Sequence, residues 1–173
     1  MESPLPLDVC LLVVDVQRQF VTPRTAGLLP RLAAALPGYR RIVFSRLVAD
    51  AESPVARWKG FTPAPEDSAG AALAIEAPTG AEVWVTRKTG FSALTADARA
   101  WLAERGVRAV HVCGMDTDLC VTRTLFDVAE AGFEPALRAD LCASAAGDAM
   151  HAHGVVVAKR MIGSGRVRTG RGA

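Results

Sequence analysis

The sequence lacks the runs and motifs that mark several large classes of protein. Its four cysteines, Cys10, Cys113, Cys120 and Cys142, form no CxxC pair, so neither a disulfide framework nor a zinc site of paired thiolates is indicated. Twenty basic residues face eighteen acidic ones for a net charge of +2, and only the short basic stretch from Arg166 to Arg171 departs from that balance. Nucleic-acid binding is therefore not expected. The apolar run Val9 to Val14 stops at Asp15, far short of the roughly 18 apolar residues of a membrane span, so no membrane partner is expected either. The opening Met1-Glu2-Ser3-Pro4 has no basic start and no cleavage pattern, which makes a cytoplasmic address the expectation. Neither GxGxxG after a strand nor GxxxxGK followed by Ser or Thr occurs, and with them goes the expectation of a nucleotide cofactor.

What is present fits one α/β domain spanning residues 1–173. A chain of 173 residues that is 50% hydrophobic can fill one core and cover both faces of a sheet. Short Val/Leu/Ile-rich runs read as buried parallel strands: Val9 to Val14, Arg41 to Leu47, Glu82 to Thr86, Val107 to Cys113 and a weaker Glu134 to Leu137. Helical spacing recurs between them. Thr95 to Glu104 opens on an N-cap Thr and closes on Gly106, and about Asp118 to Ala131 carries Val121, Leu125, Val128 and Ala129 on one face. Weaker helices cover Leu29 to Leu36 and Gly147 to Met161. This alternation implies right-handed crossovers and a parallel sheet between helices. The Pro-, Gly- and Ala-rich stretch 49–78 breaks the pattern and reads as a surface excursion that could cover a site.

In an open parallel sheet the binding crevice lies at the carboxyl ends of the strands, so polar residues that punctuate those ends carry the interest. Asp15 ends the first strand, Lys88 follows the third and Cys120 lies a few residues past the fourth. A thiol in the first turn of the helix from Asp118 meets free backbone N–H groups and the helix dipole, which favour a thiolate and can bind an oxyanion. Lys88 would supply a cation beside it and Asp15 a base that takes and returns a proton. Taken singly, each residue has a plain alternative: a core cysteine, a turn-capping Asp, a solvated Lys. Cys10, Cys113 and Cys142 read as core, His111 as a structural strand residue, and His151 with His153 as a poor metal pair, since two residues apart on a helix face different sides.

Asp15-Val16-Gln17 with Phe20, Lys88 with Phe91-Ser92-Ala93, Gly114-Met115-Asp116-Thr117-Asp118-Leu119-Cys120-Val121, and then Gly132 and Asp140 together resemble the isochorismatase-like cysteine hydrolases. That group includes nicotinamidases, N-carbamoylsarcosine amidohydrolases and isochorismatases. The resemblance implies a three-layer α/β/α fold with a six-stranded, mainly parallel sheet, and an Asp15-Lys88-Cys120 triad. It further implies a cis peptide between Met115 and Asp116, and an oxyanion hole from the backbone N–H groups of Asp116 and Cys120. Its activity would be hydrolysis of a C–N bond in a small amide-like substrate through a thioester on Cys120, in a homo-oligomer, dimer or tetramer. Gln17, Phe20, Trp58 and Phe91 are candidate substrate-binding residues, with core packing as the alternative for the aromatics and the positioning of a strand-end loop for Gln17.

Two departures from the resemblance bear on the substrate. Nicotinamidases resemble one another in a metal site of an Asp and several His between the second strand and the catalytic Lys, yet no His occurs between Arg41 and Lys88. No metal and no other cofactor is therefore expected, and nicotinamidase activity is not the expected one. Asp116 stands where many members carry a small residue, placing a carboxylate that would select a cationic or donor-rich substrate or oppose a thiolate. Two other classes compete: an idle family member that binds a small ligand or a partner protein, and a redox thiol protein, which lacks a resolving cysteine.

Overall fold

The structure, a computed structural model, describes residues 5–170. The tetrapeptide Met1 to Pro4, read above for a targeting signal, and Arg171 of the basic stretch lie outside them.

Among the described residues six strands form, β1 (Val9–Val14), β2 (Arg41–Leu47), β3 (Glu82–Lys88), β4 (Ala109–Met115), β5 (Glu134–Ala143) and the two-residue β6 (Val167–Arg168). Every pairing is parallel, in the order β3-β2-β1-β4-β5-β6. The α-helices α1 (Leu28–Ala35), α2 (Ala96–Glu104), α3 (Thr122–Glu130) and α4 (Asp148–Ile162) flank it. This is the three-layer α/β fold expected. β1 lies centrally, and Cys10 to Val14 are wholly shielded from solvent, as a strand covered on both faces must be. Fully burying one such Val or Leu contributes about 1.5–3 kcal/mol.

The strand ends differ from the sequence reading in a consistent way. β3 runs two residues further, to Lys88, and β4 two further, to Met115, because ladder bonds to a neighbour extend a strand past the end of its apolar run. β5 continues through the charged Arg138 and Asp140, whose side chains satisfy each other with Nη2–Oδ2 at 2.7 Å and Nε–Oδ1 at 2.9 Å. Its register against β4 slips between Leu137 and Cys142, so β5 bulges there. The resemblance implies a sixth strand, but its place was not read, since two residues inside a basic stretch carry no pattern.

Strand order reverses between β1 and β4, and the crevice lies beyond their carboxyl ends. Gly114 keeps the two strands close at that point. Its φ of +115° suits glycine, and a Cβ there would fall 2.1 Å from the carbonyl oxygen of Val14. The stretch 49–78 runs over this end of the sheet in short turns, including a π-type turn Val55–Lys59, and is pinned by a bridge between Gln17 and Leu73.

Candidate active site

Asp15, Lys88 and Cys120 come together at the crevice although they arrive from three different strands. Asp15 follows β1 with φ +51°, a left-handed conformation that Asp tolerates better than most residues. Its N–H donates to Ser45 Oγ at 3.0 Å, and the Ser45 hydroxyl donates to Asp15 Oδ1 at 2.7 Å. β2 lies between β1 and β3, so Ser45 locks the carboxylate from the strand that Lys88 must reach across. Lys88, the last residue of β3, places Nζ 2.7 Å from Asp15 Oδ2 and donates to the Phe91 carbonyl at 2.7 Å. Oδ2 is buried and, apart from this ion pair, accepts no hydrogen bond from a described residue.

Cys120 sits in a π-type turn, Thr117–Val121, that runs directly into α3. The Asp116 carbonyl accepts from the N–H groups of Leu119 and Val121, and the N–H of Cys120 between them is passed over. The peptide bond Met115–Asp116 is cis. Thr124 Oγ1 donates to the Cys120 carbonyl at 2.6 Å and accepts from Ala93 N–H at 2.9 Å, tying the nucleophile turn to the Phe91-Ser92-Ala93 loop. From the other side α4 abuts the turn. Thr117 Oγ1 and His151 Nδ1 are 2.8 Å apart, and one turn along, a Cβ on Gly154 would lie 2.9 Å from the Thr117 carbonyl oxygen.

The electrostatics correct one expectation. The helix N-terminus was expected to favour a thiolate, but burial pushes the Cys120 thiol up to about 12, with the Asp15 carboxylate adding to the rise and Lys88 opposing it. Desolvation outweighs the dipole because the site is closed, and the resting sulfur is a thiol. Asp116 is likewise raised by burial, while its Oδ1 accepts from Ala145 N–H at 2.9 Å.

A cavity of about 20 Å³ reaches this cluster, space for about one water. Asp15, Cys120 and Asp116 line it, with Phe20, Phe91 and Met115 among the apolar walls. Val55, Lys59 and Phe61 from the stretch 49–78 close it, so that excursion does cover the site. Two candidate binding residues fall elsewhere. Trp58 is 82% exposed and lines no part of the cavity: the turn buries Val55 and leaves Trp58 outside, Lys59 lines the cavity from its exposed rim, and after Gly60 at φ +66° Phe61 lies tilted against Phe20, centroids 5.8 Å apart. Gln17 is fully buried and its amide is spent on backbone, accepting from Leu47 N–H at 2.8 Å and donating to the carbonyls of Leu47 (3.1 Å) and Ala71 (2.8 Å). It fastens strand end to covering loop and has no donor left for a ligand.

Sequence reasoning missed Ser45, Thr124, Lys59 and Phe61. Ser45 had a signal, a lone hydroxyl inside the run Ile42-Val43-Phe44, whereas the loop residues had none. Among the described residues no group of three His, Cys, Asp or Glu is placed to hold a metal ion. The residues do not fit the Asp/His metal site of nicotinamidases, and an ammonium, Lys59, stands at the cavity instead.

Residues 9–164 match the Isochorismatase domain family. Among solved structures, an isochorismatase-like hydrolase from Alkaliphilus metalliredigens superposes with a TM-score of 0.79 at 19% identity, over 93% of this chain and 94% of that one. A nicotinamidase from Bacillus subtilis gives 0.76 at 20% identity, over 93% and 99%. A pyrazinamidase from Pyrococcus horikoshii, crystallised in complex with zinc, gives 0.73 at 22% identity, over 93% and 97%. At these identities the likeness is one of fold.

Proposed function

The chain belongs to the isochorismatase family, and from that premise we propose that it is a metal-independent cysteine hydrolase acting on a C–N bond of a small amide-like substrate. One observation carries the reading: a buried carboxylate and a buried thiol line one cavity at the strand-order switch, and a buried ammonium stands 2.7 Å from that carboxylate.

In this mechanism the Cys120 thiol gives its proton to Asp15 Oδ2 as Sγ attacks the substrate carbonyl. A thiol near 12 makes that transfer part of the attack and not a step completed beforehand. The oxyanion turns to the backbone N–H groups of Asp116 and Cys120, donors fixed by the turn. Asp15 then protonates the departing nitrogen, leaving a thioester. A water enters, Asp15 takes its proton, and collapse of the second tetrahedral species expels the thiolate, which recovers the proton. Lys88 holds the carboxylate in place and offsets negative charge throughout. Phe20, Phe61 and Phe91 supply apolar walls, and Asp116 accepts from a substrate donor. Entry requires movement of the turn bearing Lys59 and Phe61, since about 20 Å³ admits no amide.

Four free, buried cysteines accord with a cytoplasmic protein, and the reading includes a homo-oligomer of one-domain subunits. The test is turnover of a panel of small primary amides and ureido compounds by the wild-type chain and by Cys120→Ala. Activity present in the first and absent from a folded second supports the proposal. Activity that survives the substitution overturns it.

A further inference from the structure

A second cavity, of about 180 Å³, lies at the opposite ends of β4 and β5 and shares no lining residue with the catalytic one. His111 of β4 lies five residues before Asp116 in the chain, about 17 Å along a strand. Its lining contains Arg166 and Arg168, from the basic stretch that the catalytic reading leaves unused, with His111 and Glu134. Among the described residues neither guanidinium enters an ion pair or a side-chain hydrogen bond, in contrast to Arg138 nearby, which Asp140 holds by two bonds.

His111 gives the cavity its direction. Arg138 Nη1 donates to the Tyr39 hydroxyl at 2.8 Å, and that hydroxyl is 2.8 Å from His111 Nδ1. A phenol oxygen that already accepts from a guanidinium has its own proton to place, and Nδ1 is the acceptor beside it. The imidazole proton is then on Nε2. His111 is 9% exposed, Nε2 has no protein partner, and its N–H is the part of the ring left for the cavity. Burial first, then the Arg168 and Arg138 charges, hold this histidine neutral down to about 4, so the tautomer stands at physiological pH. The wall thus offers two unpaired guanidinium groups and one imidazole N–H, against the single exposed carboxylate of Glu134.

We propose that this cavity binds a small tetrahedral oxyanion of the phosphate class, held by Arg166, Arg168 and the Nε2–H of His111. Two guanidinium forks and one further donor match the geometry and charge of a phosphate group better than a single carboxylate. The site is independent of the chemistry at Cys120.

The test is a titration of the full-length, ¹⁵N-labelled chain with inorganic phosphate, following the His111 imidazole nitrogens by NMR, with chloride at matched ionic strength as control. The expected result is a saturable displacement of the Nε2 resonance with phosphate alone, and an apparent Kd raised at least tenfold in Arg166→Gln and in Arg168→Gln. Both substitutions remove exposed side chains that no described residue pairs with, so folding is not at stake. A response that chloride reproduces, one that never saturates, or saturable binding retained by the Arg166→Gln/Arg168→Gln double variant overturns the proposal.

Discussion

Lys88 Nζ lies 2.7 Å from Asp15 Oδ2, and the two side chains are 1% and 2% exposed. Two charges taken this far out of water depend on each other, and removing one leaves the other uncompensated at a cost of about 3–5 kcal/mol. Lys88→Met is therefore expected to abolish turnover and to lower unfolding free energy by that order in urea titration. Adding Asp15→Leu should recover much of the stability and none of the activity. A Lys88→Met protein as stable as wild type would mean that the pair is not buried as described.

Stability should fall at high pH, and the sign follows from the thiols. Burial raises Cys10, Cys120 and Cys142 each from 9.0 to about 12, and lifts Cys113 well above 9.0. Above about pH 9 the unfolded chain loses these protons while the folded one keeps them, so unfolding is favoured as pH rises from about 9 to about 12. Each thiol contributes a slope of about 1.4 kcal/mol per pH unit in that window. Below about 9 they contribute no pH dependence. Denaturant midpoints measured from pH 7 to 11 check this, and iodoacetamide should modify Cys120 of the free folded protein only slowly at pH 7 and faster as pH rises.

Gly114→Ala should be among the most damaging single-methyl additions. The new Cβ would meet the Val14 carbonyl oxygen at 2.1 Å, at a φ of +115° that alanine rarely adopts. β1 and β4 must separate there, and both Asp15 and the Cys120 turn hang from those strand ends. A loss of about 3 kcal/mol or more and a fall in kcat/KM of at least a hundredfold are expected, from thermal unfolding and from kinetics.

The sheet and the three converging residues were legible because strands buried on both faces must be apolar and because chemistry in such a sheet gathers at strand ends. Asp15, Lys88 and Cys120 each interrupt an apolar or motif-bearing segment at that edge. Trp58 did not take its binding reading and Gln17 took its alternative, the positioning of a strand-end loop, for a shared reason. Which way a side chain turns in a loop depends on backbone dihedrals, such as Gly60 at φ +66°, and on what the amide of Gln17 finds to bond, and neither is written in residue type. The state of Cys120 was misread because helix position is visible in sequence and desolvation is not. The same holds for β6 and for the cavity beside Arg166 and Arg168, both made by parts of the chain with no local pattern.

Rapid quenching of the wild-type chain during turnover of a small amide, followed by intact-mass measurement and peptide mapping, reaches the central claim most directly. The account requires one added acyl mass, located on Cys120, and no adduct in Cys120→Ala. Turnover without any covalent acyl species, or an acyl group found on Cys10, Cys113 or Cys142, would contradict it.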